Sequence, residues 1–88
     1  MSQPKVFLYT TDPCGYCKMA KSLLQKRGVE YEEKLVFGGT PEWEEMIKET
    51  GGAKTVPQVI IDGQTIGGYP ELLRLHQSGE LDSLLQSG

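Results

Sequence analysis

The chain reads as a small α/β fold: a four-stranded mixed sheet flanked by helices, in the order β-α-β-α-β-β-α. Three observations predict it. Short apolar, β-branched runs, Val6-Phe7-Leu8-Tyr9 and Gln58-Val59-Ile60-Ile61, stand apart from segments of helical period. Glycine and proline cluster between these segments, where the chain must turn. Asp62-Gly63 is a two-residue hairpin signal, so the last two strands run antiparallel. The first connection is strand–helix–strand, which makes the first two strands parallel with a right-handed crossover.

Lys5 to Thr10 is the first strand, apolar on both faces and therefore central. Thr11-Asp12-Pro13 turns the chain, and Pro13 forbids continuation of the strand. Gly15 to Arg27 has a helical pattern, with Tyr16, Ala20, Leu23, Leu24 and Arg27 on one side. Lys18, Lys21, Gln25 and Lys26 lie towards water, and Gly28 is the helix C-cap. The alternation Val29, Tyr31, Glu33, Leu35 predicts a second strand from Val29 to Val36, nearer an edge.

Gly38-Gly39 breaks that strand. Thr40 is placed to cap a helix that begins at Pro41, with Glu42, Glu44 and Glu45 at its positive end. This helix runs to about Thr50, buries Met46 and Ile47, and stops at Gly51-Gly52. Thr55-Val56-Pro57 leads into the strand Gln58 to Ile61, and Gln64 to Ile66 returns as a short strand closed by Gly67-Gly68. Tyr69-Pro70-Glu71 opens a last helix through about Gln77, and Leu81 to Leu85 adds a further turn or two. Gln86 to Gly88 is expected to fray.

Eighty-eight residues suit one domain, taken as residues 1–88. The net charge of −3 argues against general nucleic-acid binding. No apolar run has the length of a membrane span, and Met1 to Pro4 shows no signal-peptide pattern. A reducing, cytoplasmic setting is the expectation. There, a Cys-x-x-Cys pair serves redox or metal chemistry more often than a structural bridge.

Both cysteines of the chain fall in Cys14-Gly15-Tyr16-Cys17, between the first strand and the first helix. The thiolate is the reactive form, and the unpaired N–H groups of a helix N-terminus favour it. Cys14, at the helix end, is expected to be the exposed attacker. Cys17, one turn deeper, is expected to resolve a mixed disulfide formed by Cys14. A zinc site would need further ligands, but His76 is the sole histidine and no second cysteine pair exists.

Two other features bear on the site. Pro57 removes a backbone donor where a ladder would use one. A cis bond before it would let Val56 present its N–H and C=O to an extended peptide, although a proline at a strand start is common. Gly67-Gly68 permits positive φ and close approach of a ligand, and the helix that follows has the N-terminus that binds carboxylates. Taken alone, this pair reads as a turn.

Tyr-Thr-Thr at 9–11, Cys-Gly-Tyr-Cys at 14–17, Thr-Val-Pro-Gln at 55–58 and Ile-Gly-Gly-Tyr at 66–69 resemble the glutaredoxins in order and spacing, over nearly the whole chain. The resemblance implies the thioredoxin fold and a glutathione-dependent thiol–disulfide oxidoreductase. It implies a cis-proline at Pro57 and a Val56 backbone that pairs with the cysteine of glutathione. Tyr16 would flank that ligand, and Gly67, Gly68 and the following helix start would hold its γ-glutamyl carboxylate. Thr55 and Tyr69 inherit places in the same site. Its partners would be glutathione and disulfide-bonded or glutathionylated proteins, with no nucleic acid or membrane, and the chain would be a monomer.

Departures from the family pattern are equally specific. Gly15 stands where many glutaredoxins have proline, and some members with a small residue there bind a [2Fe-2S] cluster between two subunits, through the cysteine equivalent to Cys14 and glutathione. Thr11 replaces a common lysine, and Trp43-Glu44-Glu45 offers no cation towards the ligand, which leaves Lys54 as a substitute. Pro70 has no N–H for the γ-glutamyl carboxylate, and Glu71 reads as a helix-dipole partner. These changes predict weaker glutathione binding than is typical. They also keep two alternatives open: a [2Fe-2S] carrier, and a thioredoxin-like electron donor reduced by a flavoprotein. Trp43 is expected to pack and His76 to lie at a helix end, away from Cys14.

Overall fold

The computed structural model describes residues 6–85. The predicted start of the first strand at Lys5 and the fraying of Gln86 to Gly88 fall outside them. Eight elements follow in order: β1 (Val6–Thr10), α1 (Gly15–Lys26), β2 (Glu32–Leu35), α2 (Pro41–Glu49), β3 (Gln58–Ile61), β4 (Gln64–Gly67), α3 (Tyr69–Ser78) and α4 (Glu80–Leu85).

The strands form one mixed sheet in the order β2-β1-β3-β4. β1 pairs parallel with β2, and β3 pairs antiparallel with both β1 and β4. Side chains alternate along β1 and β3, so the two central strands feed two cores. Val6, Leu8, Val59 and Ile61 pack with Ala20 and Leu24 of α1, Leu72 of α3 and Leu81 of α4. On the opposite face Tyr9 and Val36 pack with Met46 of α2, joined by Phe7, Trp43, Val56 and Ile60. Each fully buried leucine or methionine stabilises the fold by roughly 1.5–3 kcal/mol relative to an exposed one.

The second strand is shorter than its alternation predicts. The N–H of Gly28 donates to the carbonyl of Gln25, and that of Val29 to the carbonyl of Leu24. Gly28 has φ +69. Together these bonds form a Schellman motif, which holds Val29 in the end of α1. Val29 and Tyr31 still pack against the first core, but from the connection before β2. The alternation also fails at its far end. Leu35 is 52% exposed, whereas Val36, just past the strand, is buried and donates to the carbonyl of Thr10 at 2.7 Å.

The cap of α2 forms as expected. Thr40 Oγ1 accepts from the Trp43 N–H at 3.2 Å, and Pro41 is the first helical residue. The C-terminal segment is two helices rather than one continued pattern. Gly79, at φ +85, takes the left-handed conformation that ends α3, and α4 then turns Leu81 into the core.

Register sets the position of the site. Tyr9 lies opposite Gln58, so the end of β1 and the start of β3 meet at one edge of the sheet. β4 carries one extra residue between its pairings Ile60–Thr65 and Val59–Gly67. This bulge brings Gly67 to the same end. The segments around Cys14, Pro57 and Gly67 therefore converge, although more than fifty positions separate the first from the last.

Candidate functional site

Cys14 is the N-cap of α1, with extended backbone at φ −157 and ψ 110. Its Sγ accepts from the Cys17 N–H at 3.1 Å. Its carbonyl accepts from the Lys18 N–H at 3.2 Å. Cys14 and Cys17 are joined as a disulfide, with Cα atoms 5.3 Å apart. Cys14 is half-buried and Cys17 is 1% exposed, so one sulfur faces the surface and the other lies beneath it.

Tyr16, Thr55, Val56, Pro57, Gly67, Gly68 and Tyr69 all line a single groove of about 600 Å³. The Val56–Pro57 peptide bond is cis, as is Asp12–Pro13, and Pro57 is buried. Tyr16 does not join the core, contrary to its place in the helical pattern. It is 60% exposed and its ring stacks on Tyr69, with centroids 6.1 Å apart. From the first turn of α1 the ring reaches across to Tyr69 of α3 instead of joining the core.

The loop before β3 is braced from within. Gln58 Nε2 donates to the Thr55 carbonyl at 2.8 Å and to Thr55 Oγ1 at 3.2 Å. Across the groove, Gly68 comes so close to this loop that a Cβ there would stand 3.3 Å from the Pro57 carbonyl oxygen. At the head of α3, the Gly68 N–H donates to Glu71 Oε1 at 2.8 Å. Glu71 therefore acts as a side-chain cap, a role the reading of it as a dipole partner missed.

The two cysteines do not line this groove. They border a smaller cavity of about 230 Å³, with Thr11, Asp12, Lys18, Lys21, Glu33 and Leu35. Beside it, Glu33 Oε2 accepts from Thr10 Oγ1 at 2.6 Å and from Lys21 Nζ at 2.9 Å. The Thr10 hydroxyl, helped by Lys21, holds the Glu33 carboxyl below its ordinary range. The network ties α1 to β1 and β2 next to the thiols. Sequence reading assigned Glu33 only to a strand face, because nothing local links positions 10, 21 and 33.

Other expectations resolve individually. Lys54 is exposed and stands outside the groove lining. Trp43 packs with the second core. His76 sits in the last turn of α3, where Nδ1 lies 3.4 Å from Arg27 Nη1. Ala53, Gln58, Thr65, Pro70 and Glu71 also line the groove. Their signal was positional, since each lies within two residues of a predicted groove residue. A Cβ at Gly15 would meet nothing within 4 Å.

The glutaredoxin family model matches residues 6–66, which is well over half of the chain. The chain belongs to the glutaredoxin family. Among the relatives of this glutaredoxin, glutaredoxin 3 of Escherichia coli K12 is 46% identical over 81 residues, covering 92% of this chain and 96% of the relative. The solution structure of the glutaredoxin from Brucella melitensis has a TM-score of 0.81 at 39% identity, covering 98% of this chain and 92% of that one. The crystal structure of a buckwheat glutaredoxin–glutathione complex has a TM-score of 0.79 at 27% identity, covering 91% and 74%. The sheet and its flanking helices are thus the thioredoxin fold expected from the resemblance. This glutaredoxin is a thiol–disulfide oxidoreductase. The family match stops at Ile66, one residue before the Gly67-Gly68 pair.

Among the described residues, no three metal-ligating side chains gather into a group that could hold a metal ion. A [2Fe-2S] cluster needs several thiolate ligands, and of the two cysteines Cys14 alone has its sulfur near the surface. The donors of one chain do not fit a cluster by themselves. Among the described residues, no helix is long and apolar enough to cross a membrane.

Proposed function

We propose that this glutaredoxin reduces protein disulfides and glutathione mixed disulfides, with glutathione as its reductant. The carrying observation is the convergence of Tyr16, Thr55, Val56, Pro57, Gly67, Gly68 and Tyr69 on one groove beside the redox pair. The glutathione complex of the buckwheat neighbour supports the choice of ligand. In this reading the cysteinyl part of glutathione lies along Val56 and Pro57, and the γ-glutamyl end reaches Gly67 and Gly68. Tyr16 and Tyr69 wall the groove between α1 and α3.

Cys14 thiolate attacks a substrate disulfide, forms a new S–S bond and releases one substrate thiolate, which takes a proton. In the dithiol cycle Cys17 then attacks Cys14 and releases the second substrate thiol. The product is the Cys14–Cys17 disulfide, the state described above. Two glutathione molecules restore the dithiol and leave as glutathione disulfide. In the monothiol cycle Cys14 takes the glutathionyl group from a protein, and a second glutathione removes it from Cys14. The Cys17 N–H supports negative charge on Cys14 Sγ in both cycles.

The working form in this reading is a cytoplasmic monomer. Turnover of a small glutathione mixed disulfide tests it, with glutathione plus glutathione reductase compared against thioredoxin reductase. Turnover with glutathione supports the reading. Turnover with thioredoxin reductase alone would replace it with the thioredoxin-like alternative.

A further inference from the structure

The head of α3 is already occupied by a carboxylate of the chain itself. Glu71 Oε1 accepts from the Gly68 N–H at 2.8 Å. A Cβ on Gly67 would stand 2.9 Å from Glu71 Cγ and 3.0 Å from its Oε1, so the arm of Glu71 fills the space above that glycine. Gly67 has φ +123, and the absence of a side chain there admits Glu71 as well as the backbone turn. Pro70, the second residue of α3, supplies no N–H. One donor at this helix end is therefore engaged and another does not exist, in the part of the groove where a ligand carboxylate would dock.

We infer that Glu71 is an intramolecular competitor for the γ-glutamyl carboxylate and sets how firmly the groove holds that end of glutathione. The inference rests on the glutathione reading above. Two effects act together. The ligand carboxylate must displace a charge-assisted hydrogen bond to gain the Gly68 N–H. It must also approach a like charge at short range. The displaced side chain has somewhere to go. Glu71 also borders a cavity of about 550 Å³ between β4 and the α3–α4 pair, and Arg74 lines the same cavity. Arg74 is three residues further along α3, a spacing at which opposite charges on a helix meet. Glu71 can thus exchange the Gly68 N–H for the Arg74 guanidinium when a ligand enters.

The test uses the full chain carrying Cys17→Ser, with Cys14 reduced. Equilibration with glutathione disulfide forms the Cys14–glutathione mixed disulfide and releases one glutathione. A parallel equilibration with the disulfide of cysteinylglycine, which lacks the γ-glutamyl group, forms the corresponding adduct. Mass spectrometry gives both equilibrium constants, and their ratio reports what the γ-glutamyl end contributes. Adding Glu71→Ala should raise this ratio by about tenfold or more, the effect of removing a competing charged hydrogen bond. Glu71→Gln keeps an acceptor for Gly68 without the charge and should give a smaller rise. It decides the matter alone if Glu71→Ala does not fold. An unchanged ratio in a folded variant overturns the inference, and a lowered ratio overturns it by showing that Glu71 holds the ligand. If the unchanged ratio favours glutathione, the glutathione reading survives. A ratio near one in the parent and in every Glu71 variant removes both.

Discussion

The main-chain N–H of Cys17 points at Sγ of Cys14 from 3.1 Å, so the two halves of the redox pair are coupled through the helix cap as well as through the disulfide. The donor belongs to the backbone. It therefore survives any side-chain substitution at position 17 that leaves α1 intact. Cys14→Ser should reduce turnover of every disulfide substrate to the uncatalysed rate. Cys17→Ser should abolish reduction of protein disulfides that need a resolving thiol, yet retain deglutathionylation. Parallel assays with a glutathionylated and a disulfide-bonded substrate check this. Equal losses in the two variants would contradict the assigned roles.

Tyr16 stacks on Tyr69 at the wall of the groove while remaining mostly exposed. Its loss should therefore be felt in binding more than in folding. Tyr16→Ala is expected to raise KM for a glutathione mixed disulfide several-fold. Its stability should move by no more than about 0.5 kcal/mol, the usual range for a surface change. Steady-state kinetics and a thermal melt separate the two. A large drop in melting temperature with unchanged KM would make the ring a structural element.

Glu33 links acid stability to the neighbourhood of the thiols. Thr10 and Lys21 hold its carboxyl below the ordinary value of 4.5 in the folded chain. A depressed folded-state value means that the unfolded chain takes up the proton first as pH falls. The stabilisation is fully present above about pH 4.5 and is lost as pH drops through the lower folded value. Denaturant unfolding between neutral and acid pH should show this limb, and Glu33→Gln should flatten it. An unaltered acid limb in Glu33→Gln would remove the assignment.

Gly15 occupies the first position of α1, and open space surrounds the place of its missing Cβ. Proline suits that position, since its fixed φ matches the helix and the N–H it lacks has no intrahelical partner there. Gly15→Pro should stabilise the protein by about 0.4–1 kcal/mol, by reducing the freedom of the unfolded chain. A chemical denaturation series measures it. A destabilised variant would show that the Gly15 N–H makes an interaction that the fold depends on.

The fold was legible where local chemistry coincides with tertiary need. Thr40-Pro41 caps α2, Asp62-Gly63 turns β3 into β4, and the apolar run of β1 packs on both faces. Legibility failed where a glycine at a helix end overrode the apolar pattern. The alternation from Val29 to Leu35 looked continuous, but the Schellman bonds of Gly28 and Val29 kept the first part in the helix end. Leu81 to Leu85 looked like a continuation, and Gly79 made it a separate helix.

The same division runs through the site. By itself the sequence determined the redox chemistry, because two thiols three residues apart at a helix start can close a disulfide whatever surrounds them. The motifs also specified which residues belong with a groove. Only the tertiary structure decided what stands in that groove and around it. Strand register brought Pro57 and Gly67 to the thiol end of the sheet. Side-chain reach then set Tyr16 against Tyr69, Glu33 against Thr10 and Lys21, and Glu71 on the Gly68 N–H. Those pairings depend on distances between elements, and the identity of a residue does not encode which donor its side chain will find.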